Sequence, residues 1–310
     1  MGEESTEVVE MKEDQSLNNS VAPPAPPSPP PPHFVLVHGI GGGAWCWYKI
    51  RCLMESSGYR VSCLDLKGAG MDPTDPNTVL SFNDYNKPLL DFLSSLHDDH
   101  QVCCTIPFFT HTHTHTCACL CVFLFFLYVC ICMCVSTVEP SSSQVCNAYC
   151  CLVINVLKVI LVGHSAGGLS LSDAIHKFGK KKIKLAVFIA ATMLRSGFVT
   201  DQDIKDGVPD LSEFGELKED STLAAMLLRP GPSHALTTAR LVESDYADNV
   251  PRIYIKTMQD NVVKPEQQEA MIKKWPPSDV YVLESDHSPF FSAPFLLFGL
   301  LVKAAVAYGC

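Results

Sequence analysis

The residues best placed to do chemistry are Gly163-His164-Ser165-Ala166-Gly167, which follow four apolar residues, Val159 to Val162, and precede a run with helical spacing. A strand, a sharp turn and a helix would hold Ser165 in strained backbone at the mouth of a sheet. Glycines two residues before and after it let neighbouring backbone pass without a Cβ in the way. A serine presented in this way serves nucleophilic acyl transfer, which needs a base and an acid to orient that base. Asp260 comes a few residues after the apolar run Ile253-Tyr254-Ile255, and His287 follows Val280-Tyr281-Val282-Leu283 within Ser285-Asp286-His287-Ser288-Pro289. The order Ser165, Asp260, His287 predicts that His287 takes the Ser165 proton and later returns it, while Asp260 fixes the imidazole tautomer. Asp286 is the competing acid, but adjacency along the chain makes its pairing with His287 awkward. His164 reads as elbow packing and His234 as a residue of the capping region. Two backbone N–H groups must receive the oxyanion: Ala166, directly after the nucleophile, and Ile40, in the loop after the first strand.

The elements that must position these groups follow from periodicity. Strands are predicted at Phe34–Val37, Tyr59–Leu66, Val159–Val162, Leu185–Ala190, Arg252–Lys256 and Val280–Leu283. Helices are predicted at Tyr48–Ser57, Phe82–Leu96, after the Ser165 turn, at Glu266–Lys274 and at Phe295–Tyr308. Strands alternating with helices make an α/β protein, a mostly parallel sheet with helices on both faces, and the Ser165 turn makes it an α/β-hydrolase fold. Gly41 to Gly43 do not form a phosphate cradle, because no Lys-Ser/Thr follows them and no dinucleotide fingerprint is present. No cofactor and no metal is expected.

Composition narrows the classes. The net charge of -10 argues against a nucleic-acid surface. Residues 1–32 read as a disordered acidic and Pro-rich tail, with six acids and one Lys12 in the first fifteen residues and prolines through Pro32. The domain then runs over 33–310, interrupted by an atypical Cys-rich apolar insertion at 98–157. Eleven of the fifteen cysteines lie between Cys103 and Cys151, so the rest of the chain has no disulfide framework and reads as cytoplasmic. No charged residue occurs from His100 through Val138, Thr and His alternate from Thr110 to Thr116, and Cys117 to Val135 are all apolar. A membrane anchor and a metal-binding tract are two readings of this segment. A third fits better: alternating Thr-His is what an AC dinucleotide repeat encodes, so 98–157 is read as translated non-coding sequence, such as a retained intron. As a loop it would cost little, about 0.6 kcal/mol for each doubling of length. As exposed apolar chain it invites aggregation.

Five stretches together resemble the plant methylesterase family: His33 to Gly39, Ala44 to Lys49, Leu64-Asp65-Leu66, Gly163 to Gly168, and Glu284 to Phe291. Lys205 to Ser212 and the surroundings of Arg229-Pro230 look most like its methyl indole-3-acetate branch. The resemblance implies a serine carboxylesterase acting on methyl esters of small plant hormones (methyl indole-3-acetate, then methyl jasmonate or methyl salicylate) through an acyl-enzyme. It implies the triad Ser165, Asp260, His287, with Ile40 and Ala166 as oxyanion donors. The partner is a small-molecule methyl ester, with a homodimer as the candidate assembly. Hydroxynitrile lyases share fold and triad but have Thr where this chain has Gly39 and Lys where it has Ser288. The family's cap is longer than the stretch here between Ser212 and Leu223, so a shortened helical cap is expected over about 192–245. The alternatives are a hormone-binding protein on this scaffold and an inactive splice isoform.

Overall fold

Alternate residues of a strand face opposite sides of a sheet, and the first strand, β1 (His33–Val37), shows the consequence. Phe34 and Leu36 enter one buried apolar cluster, while Val35 and Val37 enter the other. The same division repeats along the central strands, so both faces of the sheet are covered. The computed structural model describes residues 30–96, 102–104, 150–152, 158–210 and 226–310, with backbone alone at 102–104 and 150–152. The sequence readings that fall at 1–29, on the Thr-His and apolar runs of the 98–157 segment, and on the shortened cap stretch at 211–225 lie outside the described residues.

The main sheet comprises β1, β2 (Arg60–Leu64), β5 (Val159–His164), β6 (Ile183–Ile189), β7 (Arg252–Thr257) and β8 (Asp279–Leu283), all parallel, in the order β2-β1-β5-β6-β7-β8. Two short segments, β3 (Val102–Cys104) and β4 (Cys150–Leu152), pair antiparallel with each other in a separate ladder. Each main strand falls where periodicity predicts it, with ends shifted by one or two residues. Of these shifts, β5 continues through Gly163 and His164 to the edge of the turn, and β7 through Thr257.

Helix α1 (Tyr48–Ser56) and the helix Pro294–Ala307 cover one face, through Ile50, Met54, Leu297 and Leu301. Helix α2 (Phe82–Ser95), α3 (Gly167–Lys182) and the helix Pro265–Lys274 cover the other, through Leu89, Leu93, Leu171, Ile175 and Met271. Full burial of each such side chain contributes roughly 1.5–3 kcal/mol. Helix α2 is started by Ser81, whose side chain accepts from the Asp84 N–H. Among the described residues no helix is long and apolar enough to cross a membrane, and no cluster of His, Cys, Asp or Glu could hold a metal ion.

The topology decides where a site can form. From β1 the chain steps outward to β2, then returns to the opposite side of β1 to lay down β5 and its successors. The loop after β1 and the turn after β5 therefore part in opposite directions. They leave a crevice at the carboxyl end of the sheet, where open α/β sheets bind ligands.

Candidate active site

Ser165 has φ 52°, a left-handed conformation that costs a non-glycine residue on the order of 1–3 kcal/mol and persists only when its surroundings impose it. Here they do. The Ser165 N–H donates to the Ile189 carbonyl (3.2 Å), and the Ser165 carbonyl accepts from Gly168 (3.0 Å) and Thr192 (2.9 Å). The start of α3 is pressed against the end of β1: a Cβ at Gly167 would lie 2.5 Å from the His38 carbonyl oxygen. A Cβ at Gly39 would lie 2.8 Å from the Ser165 Cβ. Bare backbone at both positions is what lets the β1 loop and the serine turn close on each other.

Asp260 and His287 arrive by a different route. The Met258 N–H donates to the Leu283 carbonyl (3.1 Å) and the Gln259 N–H to the Ser285 carbonyl (3.0 Å), which extends the β7–β8 ladder beyond the strands and draws their loops together. His287 Nδ1 then sits 2.8 Å from Asp260 Oδ2, with the aspartate side chain fully buried. Asp260 Oδ1 accepts from the Val262 N–H (2.8 Å) and the Val263 N–H (2.9 Å), and Oδ2 also accepts from the Thr257 hydroxyl (3.0 Å). Gln268, buried on the helix Pro265–Lys274, ties these groups together. Its Oε1 accepts from the Thr257 N–H (3.0 Å), and its Nε2 reaches the Thr257 carbonyl (3.1 Å) and the Val263 carbonyl (2.7 Å). Tyr254 lies below, its hydroxyl donating to the Ala191 carbonyl (2.9 Å); burial, then the Asp260 charge, raises its pKa well above the usual phenol value. The competing acid is committed elsewhere: Asp286 Oδ1 accepts from the Ser288 N–H (3.0 Å) and the Ser292 hydroxyl (2.7 Å).

The His287 Nε2 is buried and has no hydrogen-bond partner among the described residues. His164, the residue before Ser165, holds the His287 loop beside the serine turn. The His164 Nε2–H donates to the His287 carbonyl (2.7 Å), and the two rings are 4.6 Å apart. Burial, reinforced by the neighbouring His287, lowers the His164 pKa well below the ordinary imidazole value, so it stays neutral. Phe290 packs edge-on against His164 (4.8 Å) and tilted against Trp47 (5.0 Å), fixing the far side of the loop. Periodicity and motif assign His164 only to packing; its bridging bond depends on a residue more than a hundred positions away.

Ile40 and Ala166 flank Ser165 from the β1 loop and from the start of α3. Neither backbone N–H donates to an acceptor among the described residues. The Arg229 N–H donates to the Gly41 carbonyl (3.0 Å), and its guanidinium donates to the carbonyls of Gly70, Asp72 and Thr74. His234 stays on the surface, its Nδ1 3.1 Å from the Leu80 carbonyl.

This arrangement can be compared with known proteins. The family model described as "Alpha/beta hydrolase family" matches residues 34–298. Methylesterase 17 of Arabidopsis thaliana is 44% identical over 314 residues, covering 90% of this chain and 93% of that protein. The chain belongs to the plant methylesterases of the α/β-hydrolase family. As such it is a carboxylic ester hydrolase. Another relative of this methylesterase is the pheophorbidase of Raphanus sativus, 35% identical over 88% of this chain and 93% of its own length. The crystal structure of the methylesterase protein MES16 from Arabidopsis superposes with a TM-score of 0.61 at 33% identity, covering 89% of this chain and 99% of that one.

Proposed function

We propose that this methylesterase hydrolyses methyl esters of small plant-hormone acids, methyl indole-3-acetate first among them, through an acyl-enzyme on Ser165. The observation that carries the reading is the buried His287–Asp260 pair at 2.8 Å with His287 Nε2 left unpartnered at the edge that presents Ser165. A group so placed lacks only the proton it is built to accept. Ser165 Oγ attacks the ester carbonyl as His287 Nε2 removes its proton. Asp260 holds Nδ1–H and stabilises the imidazolium. The oxyanion receives the N–H groups of Ile40 and Ala166, the latter beside the positive end of the α3 dipole. Methanol leaves with the proton from His287, and a water activated by the same nitrogen then frees the acid.

Gly39 supports ester hydrolysis over cyanohydrin cleavage. A side chain there would press on the Ser165 Cβ at 2.8 Å, leaving no room for a threonine hydroxyl without displacing the serine turn. The segment 98–157, read as translated intron, and the tail at 1–32 have no role in this chemistry, and the enzyme is assigned to the cytoplasm. The test is methanol release from methyl indole-3-acetate, methyl jasmonate and methyl salicylate by the full chain and by Ser165→Ala. Turnover abolished by the substitution supports the reading, and ligand binding without turnover in the unsubstituted chain would replace it with a binding protein. Equal solubility and activity on deleting 98–157 would contradict the view that the segment is harmful.

A further inference from the structure

His38 is almost fully buried and bonded at both ring nitrogens. The Leu66 N–H, a backbone group that can only donate, lies 3.1 Å from Nε2. Nε2 is therefore the acceptor, the proton resides on Nδ1, and Nδ1–H donates to the Gly39 carbonyl at 2.7 Å. The Gly39 carbonyl and the Ile40 N–H belong to one peptide plane, and the chain has no cis peptide among the described residues, so the two groups point in opposite directions. Whatever fixes the carbonyl fixes the N–H. Among the described residues the Gly39 carbonyl accepts, apart from His38, only a long bond from Gly42 (3.3 Å). Gly39 itself, with no side chain, could otherwise turn this plane freely.

We propose that His38 is a positioning residue for the oxyanion site: by holding the Gly39 carbonyl back toward the end of β2, it aims the Ile40 N–H at the oxygen that becomes negative. The inference rests on the reading of Ile40 as an oxyanion donor. Burial keeps His38 below the usual imidazole range, so the ring remains the neutral tautomer that accepts from Leu66 and donates to Gly39. Among the described residues this ring makes no hydrogen bond to Ser165, Asp260 or His287, so its loss should reach the reaction chiefly through the donor.

Two substitutions separate the two bonds. In His38→Asn the amide nitrogen takes the place of Nδ1 and keeps the donor to Gly39. In His38→Gln the amide oxygen takes the place of Nε2 and keeps the tie to Leu66. Each full-length variant would be assayed for kcat and KM on methyl indole-3-acetate and p-nitrophenyl acetate. Its affinity for a phenethyl trifluoromethyl ketone, which forms an anionic adduct with the serine, would be measured alongside. Deleting one oxyanion donor costs about 10²–10³-fold in kcat, so a misaimed one should cost His38→Gln roughly ten- to a hundredfold in kcat and in ketone affinity, with KM within about threefold. His38→Asn should stay within about fivefold of the unsubstituted enzyme. If the Gln variant equals or exceeds the Asn variant, His38 serves only to join β1 to β2 and the proposal is overturned. Unchanged ketone affinity in both would overturn it as well. An unsubstituted chain without ester turnover would instead remove the esterase reading and this inference with it, an outcome distinguishable because it precedes any variant.

Discussion

Ser165 sits in a turn whose neighbours are glycines, where backbone packs on backbone at distances a Cβ would not tolerate. Asp260 and His287 sit in loops where side chains with partners fill every direction: two backbone N–H groups, a threonine hydroxyl, Gln268 and the imidazole surround one carboxylate. Both regions occupy the carboxyl edge of the same sheet. The first is rigid because there is no space for another arrangement, and the second because the Asp260 carboxylate accepts on every side, with His287 Nε2 left without a partner among the described residues. Steric exclusion over a few residues can be encoded locally. A saturated polar network needs contributions from several elements, and each member is costly to orphan.

The two modes should fail differently. Asp260→Asn tests the polar region most severely: an amide cannot accept on both sides as the carboxylate does, and it turns the wrong tautomer of His287 toward Ser165. Its kcat should fall by about 10⁴-fold, with KM nearly unchanged, in steady-state ester hydrolysis. Gly167→Val tests the steric region, where a side chain would strike the His38 carbonyl at 2.5 Å. The loss should exceed about 3 kcal/mol in denaturant unfolding, and activity should disappear with the fold rather than before it. Gln268→Leu keeps the volume but orphans the Thr257 N–H and the Val263 carbonyl. It should cost roughly 1–3 kcal/mol, and a smaller loss would show that water replaces it and that the network is less closed than its bonds suggest.

A pH series sharpens the same contrast. The pKa values of His38 and His164 are lowered in the folded protein, chiefly by burial, so the unfolded chain binds more protons than the folded one in acid. Stability should be full above the ordinary imidazole pKa of about 6.5 and fall as the pH drops below it. The melting temperature of His38→Asn should show a shallower acid dependence than that of the unsubstituted enzyme. The smallest effect belongs to a pair outside both regions: Arg51→Ala removes an exposed i,i+4 partner of Glu55, at 2.9 Å, and should change stability by no more than about 0.5 kcal/mol.

The legible parts of the fold were those with short periods. The strand pattern, the helix Tyr48–Ser56 ending near Gly58, and the serine turn are all written within a dozen residues, and the structure places them within one or two residues of their reading. Of the site, Ser165 was legible because its glycine spacing is steric and local. Asp260 and His287 are legible only through chain order after strands, which by itself leaves Asp286 open; in the folded protein it is Asp260 Oδ2 that lies 2.8 Å from His287 Nδ1. The roles of His38, His164 and Gln268 carry no local signature. Arg229 likewise donates to carbonyls more than 150 positions away.

The sequence by itself determined the period of each element, the order Ser165, Asp260, His287, and the glycines that permit the serine turn, because these are read from near neighbours along the chain. Only the tertiary structure decided which carboxylate meets His287, which histidines stay neutral, and which way the Gly39–Ile40 peptide faces. Those depend on burial and on hydrogen bonds between loops that parallel strands bring to one edge from distant parts of the chain.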